Sequence, residues 1–197
     1  MAYYQDGEKC STLGVDLSKV EAVFLSHGHY DHTGGFPAFC KINEKAPIYI
    51  HKDAFRDSYG FREGKPEDEK SGIIWTDEER AALADRLNFT EGPVYITENI
   101  CITGTVPYAE GTNITENFYY KDNDGEWQKD DMSHEQVLVI REPDGLYIFS
   151  GCSHKSGSLT YAVLLYEGSV LVCHKLFVKV INLFVKLFGR IWLCAGL

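Results

Sequence analysis

The stretch LSHGHYDHTGG, Leu25–Gly35, sets three of the chain's seven histidines and one aspartate within the six residues His27–His32. It follows VEAVFLS, Val20–Ser26, an apolar, β-branched and aromatic run that reads as a buried strand. It precedes TGGFPAF, which reads as the way into a short helix. His-x-His-x-Asp-His sends imidazoles and a carboxylate out of one loop at alternating positions, and such donors can splay around two adjacent divalent ions. That density of ligands weighs against the plain alternative of a polar loop capped by Asp31 between flexible glycines.

Outward from this loop the chain alternates short strands and helical segments. APIYIHKDAF predicts a strand over Ala46–Ile50 with His51 at its end and a helical turn beyond. Arg56–Lys70, charged and without period, reads as a surface insertion or lid-like loop. TDEERAALADRLN carries a capping box, Thr76 with Glu79, and predicts a helix from Asp77 to Asn88. Short β-rich runs follow, ending in a predicted hairpin of Val137–Ile140 against Leu146–Phe149, with Pro143-Asp144-Gly145 at the turn. It runs into GCSH, Gly151–His154. These signals together predict an α/β protein of stacked layers with polar residues at the strand ends.

The 197 residues suffice for one domain with a real core. A net charge of −10 leaves no clustered Lys and Arg for phosphate backbones, which excludes a general nucleic-acid binder. An anionic small molecule stays open, because a bound metal would be the largest local positive charge. Six scattered cysteines without a Cys-x-x-Cys pair predict reduced thiols, and the N-terminal residues lack a secretory pattern, so the expected compartment is the cytoplasm. Residues 1–158 carry 15 basic and 28 acidic side chains, whereas 159–197 carry 4 and 1. The chain therefore divides into a domain over 1–158 and an atypical apolar, basic tail over 159–197.

At LSHGHYDHTGG the sequence resembles the metallo-β-lactamase fold superfamily, whose first metal motif is H-x-H-x-D-H between a strand and a helix. GVDLSKVEAVFLSHGHYDHTGG, YIHKDAF, ICITGTVPY, EQVLVI and GLYIFSGCSH resemble more narrowly the branch of dihydropterin ribofuranosyl-aminobenzene phosphate synthase-like metal-dependent hydrolases, over about residues 13–156. The resemblance implies an αββα sandwich. It implies that His27 and His29 bind one metal, that Asp31 and His32 bind a second, and that Asp31 also holds the nucleophilic water. His154 is the candidate for the next histidine ligand. One or two divalent ions are implied, zinc first, with iron or manganese also compatible with His and Asp donors. The implied function is hydrolysis of an ester or phosphoester bond in a small molecule, pterin-related in this branch, by a metal-bound hydroxide.

Three further residues stay open. Cys152 is either a soft thiolate ligand or a small buried side chain. His134, in MSHEQ, is an alternative third histidine, though its place before a strand suits an exposed loop residue. His51 either supports a metal ligand from behind or faces the substrate, or is a plain polar residue.

Two departures from the superfamily pattern are expected to matter. The usual first strands are missing ahead of GVDL, which predicts an incomplete sandwich with an unpaired sheet edge. The Gly-Gly-x-His-Leu-like element that gives the second metal its last ligand is also missing after Lys155. The tail instead places Lys175, Lys179, Asn182, Lys186 and Arg190 on one helical face, with Leu176–Leu193 otherwise largely apolar. Its readings are a membrane-surface helix, which is not favoured, a core-packed terminal helix, or a non-native end from a shifted frame, which is. A truncated, catalytically inactive metal-binding fragment is accordingly the alternative to an active hydrolase, and a diiron redox protein the third.

Overall fold

The computed structural model describes residues 16–108, 117–143 and 145–155, together with two strands, Val170–Val172 and Ile191–Cys194. The strands are β1 (Ala22–Leu25), β2 (Ile48–His51), β3 (Asp57–Arg62), β4 (Lys65–Lys70), β5 (Leu87–Thr90), β6 (Val94–Thr97), β7 (Ile100–Ile102), β8 (Phe118–Lys121), β9 (Trp127–Lys129), β10 (Leu138–Glu142), β11 (Gly145–Phe149), β12 (Val170–Val172) and β13 (Ile191–Cys194).

β1 is apolar at every position because both of its faces are covered, as parallel strands require. Val23 and Leu25 point to one side, where Ile48, Ile50, Phe36, Phe39, Trp75 and Leu83 bring in the helices Phe36–Cys40 and Asp77–Leu83. Phe24 points to the other side and meets Ile102, Leu138 and Ile140 of a second sheet. Each such side chain taken fully out of water contributes on the order of 1.5–3 kcal/mol. The first sheet runs β13-β1-β2-β5, all parallel, and the second runs β12-β11-β10-β7-β6. Val139 and Ile148, paired across the β10–β11 hairpin, face away from the first sheet into a further apolar cluster with Cys101, Val106, Val137 and Leu146. Helices on one sheet, with two sheets face to face, give the layered architecture that the alternation predicts.

The expected hairpin forms with its pairing carried out to Glu142 opposite Gly145. The capping box forms too: Thr76 Oγ1 accepts from the Glu79 N–H at 3.1 Å, and Glu79 Oε2 accepts from the Thr76 N–H at 2.9 Å. That helix is shorter than predicted. It ends at Leu83, a 3-10 turn spans Ala84–Arg86, and Leu87 and Asn88 open β5 against Ile48 and Tyr49. Parallel pairing with a distant strand overrides local helix propensity there.

Arg56–Lys70 is corrected more sharply. β3 and β4 form a hairpin whose turn residues Glu63 and Gly64 both take positive φ, 52° and 77°, the conformation that matches strand twist in a two-residue turn. β3 also pairs with β8, and β8 with β9, to make a third sheet, β4-β3-β8-β9. Phe61 packs on Tyr119 at 4.3 Å and on Trp127 at 5.0 Å between ring centroids, so aromatic partners some sixty residues away supply what the charged sequence lacks.

The expected unpaired sheet edge does not fall at β1, because β13 lies against it with Val23 opposite Trp192 and Leu25 opposite Cys194, and the open sheet ends at β13 and β5. Ile191–Cys194 is therefore extended, where the tail's apolar pattern suggested helix. The helical stripe at Lys175, Lys179, Asn182, Lys186 and Arg190 lies outside the described residues, as do the first 15 residues and His174.

Candidate metal centre

The first sheet delivers its ligand loop at the C-terminal end of β1, the usual place for a site in a parallel sheet. His27 and His29 follow that end, and His29, in extended backbone, sits as N-cap of the short helix Tyr30–Thr33, which carries Asp31 and His32. The loop is pinned from several sides. Trp75 Nε1 donates to Thr33 O at 2.8 Å, Thr33 Oγ1 donates to His29 O at 2.9 Å, and the Tyr30 N–H donates to Ser71 O at 2.9 Å. A Cβ on Gly28 would collide with the backbone of Ala54, so only glycine lets the loop lie this close to the turn after β2. Gly28→Ala is expected to cost about 1–3 kcal/mol through overpacking against a carbonyl that cannot swing away, read as a lowered midpoint of thermal unfolding.

The second ligand segment arrives from β11. Ser153 holds φ at 60°, an uncommon conformation for a non-glycine residue, and its hydroxyl lies 2.8 Å from that of Ser150. This turn aims Cys152 and His154 at the histidines of the first loop. Gly151 fits beneath them because an added Cβ would stand 2.5 Å from Ser26 Oγ and 2.9 Å from His27 Nδ1.

Two groups result. The ligand atoms of His27, His29 and His154 lie within 4.8 Å of one another, and so do those of His27, His32 and Cys152. His27 belongs to both. Cys152 Sγ is 3.1 Å from His32 Nε2, and Asp31 Oδ2 is 3.5 Å from the same nitrogen. The Asp31 side chain is 51% exposed, at the open side of the second group. Cys152 is exposed, which removes the reading of it as a small buried side chain.

These residues fit a divalent ion. The Nε2 atoms of His27 and His29 are buried and find no hydrogen-bond partner among the described residues, a costly condition that an ion would relieve. Burial first, and the neighbouring imidazoles second, hold His27 well below the usual histidine range and His29 down to about 3. Both are then neutral near pH 7, the form in which imidazole binds metal. Ser26 Oγ lies 3.0 Å from His27 Nδ1, a contact that can fix the tautomer leaving Nε2 free to coordinate. Phe118 of β8 lays its ring 4.4 Å from that of His29 and walls the group with an apolar face.

His134 is fully buried, not the exposed loop residue that its position suggested. It is also engaged at both nitrogens: Nδ1 accepts the Gly28 N–H at 3.2 Å, and Nε2 faces Asp130 Oδ2 at 3.4 Å. Burial pushes the Asp130 carboxyl up, but hydrogen bonds from His134, the Met132 N–H and Ser58 Oγ prevail and hold it far below the usual carboxylate range. His134 thus braces the ligand loop from behind.

His51 is likewise committed elsewhere. Its Nδ1 accepts the Asp53 N–H at 3.1 Å and its Nε2 meets Thr105 Oγ1 at 2.7 Å, so it caps the turn after β2. Burial, opposed by Asp53, lowers its pKa to about 4 from an ordinary 6.5. An unfolded chain takes up that proton as pH falls through 6.5 while the folded chain does not, so stability falls between about pH 6.5 and 4. His51→Asn keeps an acceptor for the cap without the titration. Its urea midpoint is expected to fall less than that of the wild type between pH 7 and pH 4.5.

Glu135, Gln136 and Asp130, none of them among the residues that the motifs single out, are all fully buried. The sequence signal for Glu135 and Gln136 is the run of polar side chains, His-Glu-Gln, immediately before the apolar strand VLVI.

Two sheets face to face with a histidine cluster at the strand ends form a layered α/β fold with a candidate metal centre, and comparison places it. The metallo-beta-lactamase superfamily profile matches residues 6–168, and the chain belongs to that superfamily. Membership implies a divalent metal. The chain is 30% identical over 148 residues, 72% of its length and 49% of the relative's, to the 7,8-dihydropterin-6-methyl-4-(beta-D-ribofuranosyl)-aminobenzene-5'-phosphate synthase of Methanocaldococcus jannaschii. It is 33% identical over 137 residues, 67% of its length and 47% of the relative's, to an uncharacterised protein of the same organism. It thus spans about half the length of the curated relatives it matches. A solved structure of a metal-dependent hydrolase of the beta-lactamase superfamily superposes with a TM-score of 0.68 at 23% identity, over 96% of this chain and 82% of that one, a likeness of fold. No helix among the described residues is long and apolar enough to cross a membrane.

Proposed function

We propose that the chain is a metal-dependent hydrolase acting on an ester or phosphoester bond of a small molecule, with a pterin-related phosphate compound as the first substrate class to test. The observation that carries this reading is the convergence of His27, His29 and His154 with buried, unpartnered Nε2 atoms on His27 and His29. The synthase name of the relative supports the pterin element, and a shared fold alone would not. His27, His29 and His154 would hold one ion; Asp31, His32 and Cys152, sharing the His27 end, would hold a second, zinc being the first choice for a set of imidazoles and one thiolate. Such ions lower the pKa of water and polarise the oxygens of the bond under attack.

The chain's own residues do the rest. Asp31, exposed beside His32, is placed to accept a hydrogen bond from the attacking water and keep it oriented. Phe118 excludes solvent from the His29 side. The test is turnover of generic phosphodiesters, phosphomonoesters and thioesters by zinc-, manganese- and iron-loaded protein, beside chelated controls. Metal-dependent turnover is the expected result. Stoichiometric metal with no turnover on any of them would favour a binding-only chain.

A further inference from the structure

Three consecutive buried side chains reach three different parts of the candidate centre. His134 Nδ1 takes the N–H of Gly28, inside the first ligand loop. Glu135 spreads its carboxylate over the second: Oε1 accepts the His154 N–H at 2.8 Å and Oε2 the Lys155 N–H at 2.9 Å. Gln136 locks the sheet end between them, its Nε2 donating to Leu25 O at 2.9 Å and its Oε1 accepting from Thr90 Oγ1 at 2.5 Å, while its own N–H donates to Ser26 O at 2.9 Å. All three residues are no more than 1% exposed.

A buried carboxylate is costly unless its oxygens are satisfied, and here two successive backbone amides satisfy them. The arrangement is specific, because two adjacent N–H groups in non-helical chain converge on one carboxylate only where the backbone turns, and the positive φ of Ser153 turns it here. We infer that His134-Glu135-Gln136 is a built-in spacer that registers the two ligand loops against each other, with Glu135 the positioning residue that sets His154 in place before any ion arrives. The inference rests on the metal-centre reading for His154. The hydrogen bonds of the Glu135 carboxylate go to the backbone of the GCSH turn, so the influence on the metal assigned to it here runs through His154.

That dependence is measurable with zinc alone. Zinc affinity, from competition with a chromophoric chelator, is measured for the wild type, Glu135→Gln, His154→Ala and the double variant. Glu135→Gln turns one acceptor into a donor facing an amide N–H, and a loss of about 10–100-fold is expected, the size usual for groups that orient metal ligands. The double variant should bind no more weakly than His154→Ala, since a residue acting only through His154 has nothing left to position. Losses that multiply, or an unchanged affinity in Glu135→Gln, would overturn the inference and leave the metal site standing. Unchanged affinity in His154→Ala would sink the site reading and the inference together. Should Glu135→Gln fail to fold, amide exchange in the metal-free wild type decides. Protected His154 and Lys155 amides are expected, and rapid exchange that slows only when zinc is added would show that the ion, not Glu135, orders the turn.

Discussion

Replacing His27 with alanine should strip both candidate metal groups from the chain at once. His27 is the one member common to the His27-His29-His154 and His27-His32-Cys152 groups, so its substitution removes a donor from both groups found among the described residues. His29→Ala removes a donor from the first alone and His32→Ala from the second alone. Elemental mass spectrometry of the purified proteins is the check. Metal content in His27→Ala should fall at least about ten-fold against the wild type, with intermediate losses for the other two. His27 is fully buried at the end of β1, so His27→Gln, which fills more of its volume, separates loss of a ligand from loss of packing. Metal retained at wild-type level in both variants would put the ions elsewhere and remove the basis of the hydrolase reading.

Asp31→Asn should produce the largest fall in turnover for the least structural change. The side chain is half exposed, makes its close approach to His32 through Oδ2, and Asn has the same shape without the charge. A carboxylate that orients or deprotonates an attacking water contributes about 10²- to 10⁴-fold, and that is the range expected in kcat on whichever ester proves to be turned over. Asp31 also faces the second group, so metal analysis must accompany the assay. Turnover within a few-fold of the wild type at equal metal content would remove Asp31 from the chemistry. If metal is lost together with rate, the residue belongs to the ligand set first.

The contrast between these residues and those behind them explains how much of the centre was legible in the sequence. His27, His29, Asp31 and His32 are contiguous, and a strand-loop-helix segment can present them only together, so six residues of sequence sufficed. The choice between His154 and His134 could not be read that way. Each is a single histidine near a strand end, and what separates them is position: His134 has both nitrogens engaged by Gly28 and Asp130, while the ligand atom of His154 lies with those of His27 and His29. Those partners lie far apart along the chain. His51, open in the sequence between a place beside the site and a plain polar residue, is held by Asp53 and Thr105.

The fold divides along the same line. Local signals carried β1, the Thr76–Glu79 capping box and the β10–β11 hairpin, because each depends on neighbours within a few residues. The ribbon formed by Arg56–Lys70 was invisible, since its strands have no apolar period and are held by pairing to Phe118–Lys121 and by the rings of Tyr119 and Trp127. The end of the Asp77 helix was misjudged for a related reason, the pull of β2 on Leu87 and Asn88. Sequence by itself determined the class of protein and the first half of its candidate centre, because strand periodicity and a contiguous ligand loop are local properties. Only tertiary structure brought the Cys152–His154 turn beside that loop, put His27 in both candidate groups, and engaged His134 and His51 with other partners. Those outcomes depend on which buried polar atoms find partners, and the partners come from strands that meet only when the two sheets close on one another.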